Sequence, residues 1–284
     1  IIIYESTYAP FTTNNIFKKI LEKKTKLKEN RDFFICYSPE RINPGTSLKE
    51  MRNVTKLVSS NSKKITKLIS SIYKKGFNEV YECSTIEIAE SSKIIENIQR
   101  DINIAYFNEL SKIFIGLSIN PKEVFKSAST KWNFINMKPG LVGGHCLPVD
   151  PYYFTNYIQK KNLKSEFLIS GRKINEDYVK FLKKKLFSFL NKNKQIRSIL
   201  FLGCTYKADV ADFRTSKSIK LINNFLNKKK LKVKVYDPYL QKENSIYKKR
   251  VKNLNNFDLV IKLVNHKIFS NIKNIKIIDF TDID

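Results

Sequence analysis

Cys146 stands in the run Gly143-Gly144-His145-Cys146-Leu147-Pro148-Val149-Asp150-Pro151, just after a glycine pair and four residues before a carboxylate. Glycines permit positive φ and let the backbone come close to a bound group. A thiol presented there can be approached by a substrate, and its thiolate would be the strongest nucleophile in the segment. An isolated cysteine is as a rule a small core residue, so the segment needs support from the rest of the chain. Glu90, Lys93, Asn97 and Arg100 follow one another at spacings of 3, 4 and 3, which puts them on one face of a helix. That face reads either as a solvated stripe with intrahelical ion pairs or as part of a site. The neutral Asn97 and the buried look of Ala89, Ala105 and Asn108 favour the second reading. Cys36, Cys83, Cys146 and Cys204 are far apart with no C-x-x-C pair, and His145 and His266 are the two histidines. This pattern has neither metal-ligand spacing nor a disulfide framework, so no metal is expected and a reducing cytoplasm is the natural setting.

The elements that must position these residues can be read from periodicity. Residues 1–83 alternate strand and helix: strands at 1–4, 33–37, 54–58 and 80–83, an amphipathic helix at 15–27 and another at 62–73. Such alternation predicts a parallel α/β sheet. The sequence holds no Gly-x-Gly-x-x-Gly, so a dinucleotide fingerprint would have to lie before residue 1. Apolar residues recur at helical spacing over 86–117, predicting a helix of ~30 residues and ~45 Å with a connecting or dimer-forming role. Helices at 121–128, 151–160 and 172–190 follow, then a polar linker at 191–195. A second α/β unit has strands at 198–202, 232–236, 257–264 and 275–280 and a helix at 216–226. It resembles half of a doubly wound sheet, whose ligands bind at the carboxyl ends of strands. Gly203-Cys204-Thr205-Tyr206-Lys207 lies at one such end.

The chain of 284 residues is long enough for one large core or two modest ones, and its formal charge is +27. The excess is nearly all lysine, spread over presumed helix faces and loops, and aromatics do not interleave with the basic runs as a base-stacking platform requires. Nucleic acid is therefore not the expected partner, while a general attraction for anionic, including phosphorylated, ligands remains. The opening apolar run is a few residues long with no basic region before it, and reads as a strand, neither signal peptide nor membrane span.

Eight blocks in order carry a resemblance. They are Glu5-Ser6-Thr7; Ser38-Pro39-Glu40-Arg41-Ile42-Asn43-Pro44-Gly45; Ala89-Glu90 through Lys93 and Asn97 to Arg100; and Asn103-Ile104-Ala105 with Asn108-Glu109-Leu110. Then come Thr130-Lys131-Trp132-Asn133-Phe134, residues 139–146, Asp150-Pro151-Tyr152-Tyr153, and Gly203 through Lys207 to Asp212-Phe213-Arg214. Together they resemble the UDP-glucose/GDP-mannose dehydrogenase family, and their wording looks like the branch that oxidises UDP-N-acetylhexosamines for surface polysaccharide of the Vi type.

The resemblance implies an α/β fold in three parts: the remainder of an NAD-binding Rossmann-like domain at 1–84, a central helical dimerisation domain at 85–192, and a UDP-sugar-binding domain at 193–284. It implies an NAD-dependent enzyme that takes C6 of the sugar from alcohol to carboxylate in two hydride transfers, as a cytoplasmic homodimer. Cys146 would hold the aldehyde as a thiohemiacetal and then a thioester. Lys93 and Asn97 would stabilise the developing alkoxide. Asp150 and Thr7 would position water and relay a proton, and Glu40 would serve thioester hydrolysis. Lys207, Arg100, Phe134 and Gly143 would contact the UDP-sugar; Arg214 and Thr7 would reach the cofactor. Other readings stay open: Thr7 as a strand-end hydroxyl, Glu40 as a cap, and Asp150 as the N-cap before Pro151. His145 is expected to point away from Cys146. The missing first β-α-β unit suggests an amino-terminal truncation, and with it a competing expectation: a non-catalytic remnant that dimerises and binds UDP-sugar.

Overall fold

The computed structural model of the chain describes residues 1–42, 45–228, 230–272 and 277–279. In order the elements are β1 (Ile2–Tyr4), a π-helical turn (Thr13–Phe17) running into α1 (Lys18–Thr25), β2 (Ile35–Tyr37), α2 (Leu48–Arg52), β3 (Lys56–Ser60), α3 (Lys63–Tyr73), β4 (Val80–Glu82), α4 (Ile86–Gly116), α5 (Pro121–Ala128), α6 (Asp150–Gln159), α7 (Glu166–Lys192), β5 (Ser198–Leu202), α8 (Lys217–Leu226), β6 (Lys232–Tyr236), β7 (Leu259–Lys262) and β8 (Ile277–Asp279). The chain forms two compact units: Ile1–Gln99 with Val149–Ser165, and Arg100–Pro148 with Glu166–Asp284. Among the described residues no helix is long and apolar enough to cross a membrane.

The first unit is built on a sheet of order β1-β2-β3-β4. Side chains alternate across it with the two-residue period of a strand. Ile35, Tyr37 and Leu57 pack with Cys83, Ile86 and Ala89 on one side, and Cys36 and Val58 with Ile65 and Ile69 of α3 on the other. The pairs β1–β2 and β3–β4 are parallel, as expected, but β2 and β3 run antiparallel, with Cys36 opposite Ser60 and Tyr37 opposite Ser59. Among the described residues between these two strands the only helix is the short α2, which is too small to serve as a crossover. The chain therefore turns back on itself. The reversal brings the start of β3, and with it Lys56, to the carboxyl ends of β1 and β2.

Two local departures have visible causes. The helix expected over 15–27 begins earlier, as a π-helical turn at Thr13, and ends at Thr25, where Lys26 takes a left-handed C-cap with φ 62°. The start is fixed from outside by a carboxylate on α4, described below. The unexpected α2 is nucleated by a capping box in which Ser47 and Glu50 satisfy each other's backbone N–H groups.

In the second unit β6-β5-β7-β8 form a wholly parallel sheet. The fourth strand, expected over 275–280, is described at Ile277–Asp279; residues 275, 276 and 280 lie outside the described residues, as do Asn43 and Pro44. α7 starts six residues earlier than the periodicity suggested. Its buried face runs through Gly171, Arg172, Asn175, Tyr178, Val179, Leu182 and Leu186, the i, i+3/i+4, i+7 stripe of a core-facing helix. A Cβ on Gly171 would lie 2.3 Å from Cδ1 of Ile102, so glycine is what lets α7 approach α4 here. Tyr178, Leu182 and Leu186 join Ile199, Phe201, Leu221 and Phe225 in the core between α7, α8 and the sheet.

Candidate active site

Five of the expected site residues belong to the first unit. Asn97 on α4 and Asp150 at the start of α6 are both buried, and the Asn97 amide Nδ2 donates to Oδ2 of Asp150. Asp150 is therefore turned toward α4; the N-cap of α6 is Val149, with no side-chain capping bond. Lys93, one turn before Asn97, is half-buried on the same helix. The face 90–100 is thus not a solvated stripe: Glu90 and Asn97 are buried and only Arg100 is exposed.

Thr7 and Glu40 follow the carboxyl ends of the parallel neighbours β1 and β2. Tyr37, fully buried, donates its hydroxyl to the carbonyl of Ser6 at 3.1 Å. Burial first, then the nearby Glu90, Tyr8 and Asp150, push its phenol far up, so it stays a neutral donor. The backbone N–H of Glu40 bonds to the Glu5 carbonyl at 3.0 Å, and its Oε1 accepts from the N–H of Ile42 at 2.6 Å. The buried Lys56 ammonium links these segments. It donates to Glu5 Oε1 at 3.1 Å and to the Pro39 carbonyl at 3.3 Å, and lies 4.0 Å from Glu40 Oε2. Arg41 bonds the Thr55 carbonyl at 2.6 Å and pairs with Glu96 of α4 at 2.8 Å.

Cys146, Gly143, Phe134, Arg100, Lys207 and Arg214 belong to the second unit. Of the four cysteines, three are buried and Cys146 is half-exposed; His145 beside it is exposed. Gly144 has φ 86°, and a Cβ there would lie 2.8 Å from the ring of Tyr206; at Gly143 it would lie 3.0 Å from Tyr206 Cβ. The glycine pair is needed because the loop lies directly against that tyrosine. Burial raises the Tyr206 pKa, and the charges of Asp212 and Cys146 raise it further, which makes the phenol an electrostatic neighbour of the thiol. Arg214 is exposed and forks onto Asp212 through Nε and Nη2, and these bonds hold the Asp212 carboxyl below the usual range. Lys207 is exposed beyond β5. Phe134 packs edge-on against Phe107 with ring centroids 5.9 Å apart.

Several residues have tasks that the sequence did not show. Glu90 accepts from the N–H of Phe11 at 2.6 Å and from the N–H and hydroxyl of Thr13 at 2.9 and 2.6 Å, so it caps the π-helical turn from 77 residues away. Its place in the helix-face motif was a signal, but its task was not. His266 is buried: its Nδ1 accepts from the N–H of Asp209 at 2.9 Å, so the proton sits on Nε2, 3.1 Å from Asp237 Oδ2 and from Thr205 Oγ1. Asp237 also accepts from the N–H groups of Cys204 and Tyr239. This network fixes the turn that carries Lys207.

One unit thus has a mixed sheet whose strand ends lead to Thr7 and Glu40, and the other a parallel sheet and a glycine-framed cysteine loop packed on Tyr206. Residues 1–77 match the NAD binding domain of the UDP-glucose/GDP-mannose dehydrogenase family, 87–177 its central domain and 200–282 its UDP binding domain. The chain belongs to this family. It is 41% identical over 226 residues to protein CapL of Staphylococcus aureus, covering 78% of this chain and 53% of that protein. It is 36% identical over 278 residues to UDP-N-acetyl-D-glucosamine 6-dehydrogenase of Salmonella typhi, covering 95% and 65%. The structure of a UDP-D-ManNAc dehydrogenase from Pyrococcus horikoshii superposes with TM-score 0.82 at 29% identity, covering 98% of this chain and 68% of that one. The chain thus spans between half and two thirds of the length of these two curated relatives.

Proposed function

We propose that the chain carries out the 6-dehydrogenation of a UDP-N-acetylhexosamine, converting the C6 alcohol to a carboxylate in two oxidations, in the service of surface polysaccharide synthesis. The observation that supports this most is the buried Asn97–Asp150 pair. It joins the helix that bears Lys93 to the residue four places after Cys146, in a surrounding where an amide and a carboxylate would be costly without a chemical or structural reason.

In this reading Lys93 and Asn97 stabilise the oxyanion at C6, Asp150 and Thr7 hold a water and pass its proton, and Glu40 assists hydrolysis. Cys146 adds to the aldehyde through a new S–C bond; loss of the second hydride leaves a thioester, and water cleaves the S–C bond to give carboxylate and free thiol. The carboxyl-end edge of the parallel pair β1–β2 is the place where an α/β sheet receives a ligand, and Thr7 there suits the nicotinamide end of NAD, with Arg214 as a further contact. Two molecules of NAD+, bound in turn, would each accept one hydride. Lys207, Arg100, Phe134 and Gly143 are proposed to hold the UDP-sugar, and the division at 1–84, 85–192 and 193–284 is kept for the three functional parts.

We infer a homodimer paired along α4. Ile88, Ile95, Tyr106 and Ile113 are all exposed on it, and their spacings of 7, 11 and 7 put them within one narrow stripe. The reaction is tested by NADH formation from UDP-N-acetylglucosamine and UDP-N-acetylgalactosamine. Turnover by the parent and its loss in Cys146→Ser are expected. A serine variant within about tenfold of the parent removes Cys146 from the reaction. A folded parent that binds UDP but yields no NADH rejects the dehydrogenase reading for this chain.

A further inference from the structure

Residues 139–146, which lead to Cys146, contain no helix or strand, yet their backbone is held at two places by side chains from distant elements. Asn108 on α4, fully buried, grips the Gly140 peptide from both sides. Its Oδ1 accepts from the Gly140 N–H at 2.8 Å, and its Nδ2 donates to the Gly140 carbonyl at 3.0 Å. The orientation of that amide is fixed by its neighbours. Asn175 on α7 donates its Nδ2 to the carbonyl and Oδ1 of Asp101, at 2.9 and 2.8 Å, and Asp101 is itself paired with the buried Arg172. Only Oδ1 of Asn175 is then left to face Asn108, and it accepts from Asn108 Nδ2 at 2.8 Å. A carboxylate at 108 could not donate in both directions, and an aliphatic side chain could do neither.

The second hold is at Gly144. The Thr215 hydroxyl donates to its carbonyl, while Tyr206 lies against its Cα. Between the two holds Val142 is buried and Leu141 packs on the core of the second unit. The peptide groups at both ends are thus fixed, and Cys146 lies two residues beyond the second.

We propose that Asn108 and Thr215 are positioning residues for Cys146, setting the reach of its thiol through two tethers on the loop backbone. This rests on reading Cys146 as the nucleophile, but its test does not depend on turnover. The 284-residue chain is labelled with iodoacetamide and each cysteine is followed by peptide mass spectrometry. In the parent only Cys146 reacts under native conditions, and Cys204, buried in the same unit, reports any general unfolding.

Asn108→Ala and Thr215→Ala are expected to raise the Cys146 labelling rate about tenfold, the population shift that follows from losing one to two ordinary hydrogen bonds, with Cys204 still protected. Thr215→Ser, which keeps the hydroxyl, restores the parent rate. Parent-like labelling in both alanine variants, with Cys204 protected, overturns the proposal. If Asn108→Ala unfolds and exposes Cys204, the Thr215→Ala and Thr215→Ser pair decides, because Thr215 is at the surface. A Cys146→Ser protein that still turned over would end the nucleophile reading and leave the tethers untouched.

Discussion

Glu90 illustrates how a residue can be conspicuous in sequence and still be misjudged. Its spacing to Lys93 and Asn97 suggested a chemical face, whereas its carboxylate accepts from Phe11 and Thr13. Nothing local could reveal that, because the donors are distant in sequence and one of them, Phe11, stands in the left-handed region at φ 67°. Burial raises the Glu90 pKa, against the lowering effect of the three donors. In Glu90→Gln the new NH2 must face one of those donors, so a loss of about 1–3 kcal/mol is expected, read as a lower urea midpoint. Lys93 and Cys146, in contrast, sit in motifs whose proposed chemistry follows from residue type. Lys93→Ala should lower kcat far more than it raises KM, because the ammonium acts on charge present mainly in the transition state. A change in KM alone would make Lys93 a binding residue.

Among the elements, α3, α5, β5 and β6 were readable nearly to the residue, because each has a single apolar period and α5 also has the Asn120 cap before Pro121. The direction of β3 was not. An apolar run carries no sign of parallel or antiparallel pairing, and here only the shortness of α2 decides it. The turn after β5 shows the same division. Gly203 could be recognised as a strand-end glycine, but not the reason for it: φ 85° with a Cβ that would sit 2.5 Å from Val264 Cβ and 2.9 Å from its backbone. Gly203→Ala should cost more than about 2 kcal/mol, while Gly116→Ala, at an open site ending α4, should stabilise by up to about 1 kcal/mol; thermal melts compare the two. The same turn is pinned by Asp237. Burial opposes its carboxylate, but His266 and the N–H groups of Cys204 and Tyr239 outweigh that and lower its pKa. A carboxyl lowered on folding stabilises above its unfolded value and loses that contribution as pH falls through the folded one. The parent should therefore weaken below about pH 4. Asp237→Asn should be weaker at neutral pH and lose less of its stability on acidification, as urea titrations at several pH values would show.

At the scale of the molecule, the exposed stripe of Ile88, Ile95, Tyr106 and Ile113 carries the expectation of pairing. Such a contact is apolar and so insensitive to salt, in spite of the charge of +27. Light scattering should give a dimer at micromolar concentration from low to high ionic strength. Ile95→Lys with Ile113→Lys should give a folded monomer. A parent that is monomeric throughout would remove the α4 interface. The surplus of lysine told nothing about the fold, because charges of one sign on solvated faces influence association and solubility and leave the core pattern unchanged.

The first unit is not continuous in the chain: it leaves at Gln99 and is completed by Val149–Ser165. A polypeptide is made from its amino end, so the early sheet emerges long before the segment that supplies Asp150. At ordinary elongation rates the wait is roughly 3 to 13 s. During it the buried Asn97 has no Asp150 to bond. Synthesis of this protein therefore includes an obligatory pause in an unfinished state, whose length is set by the ribosome and not by the speed of folding.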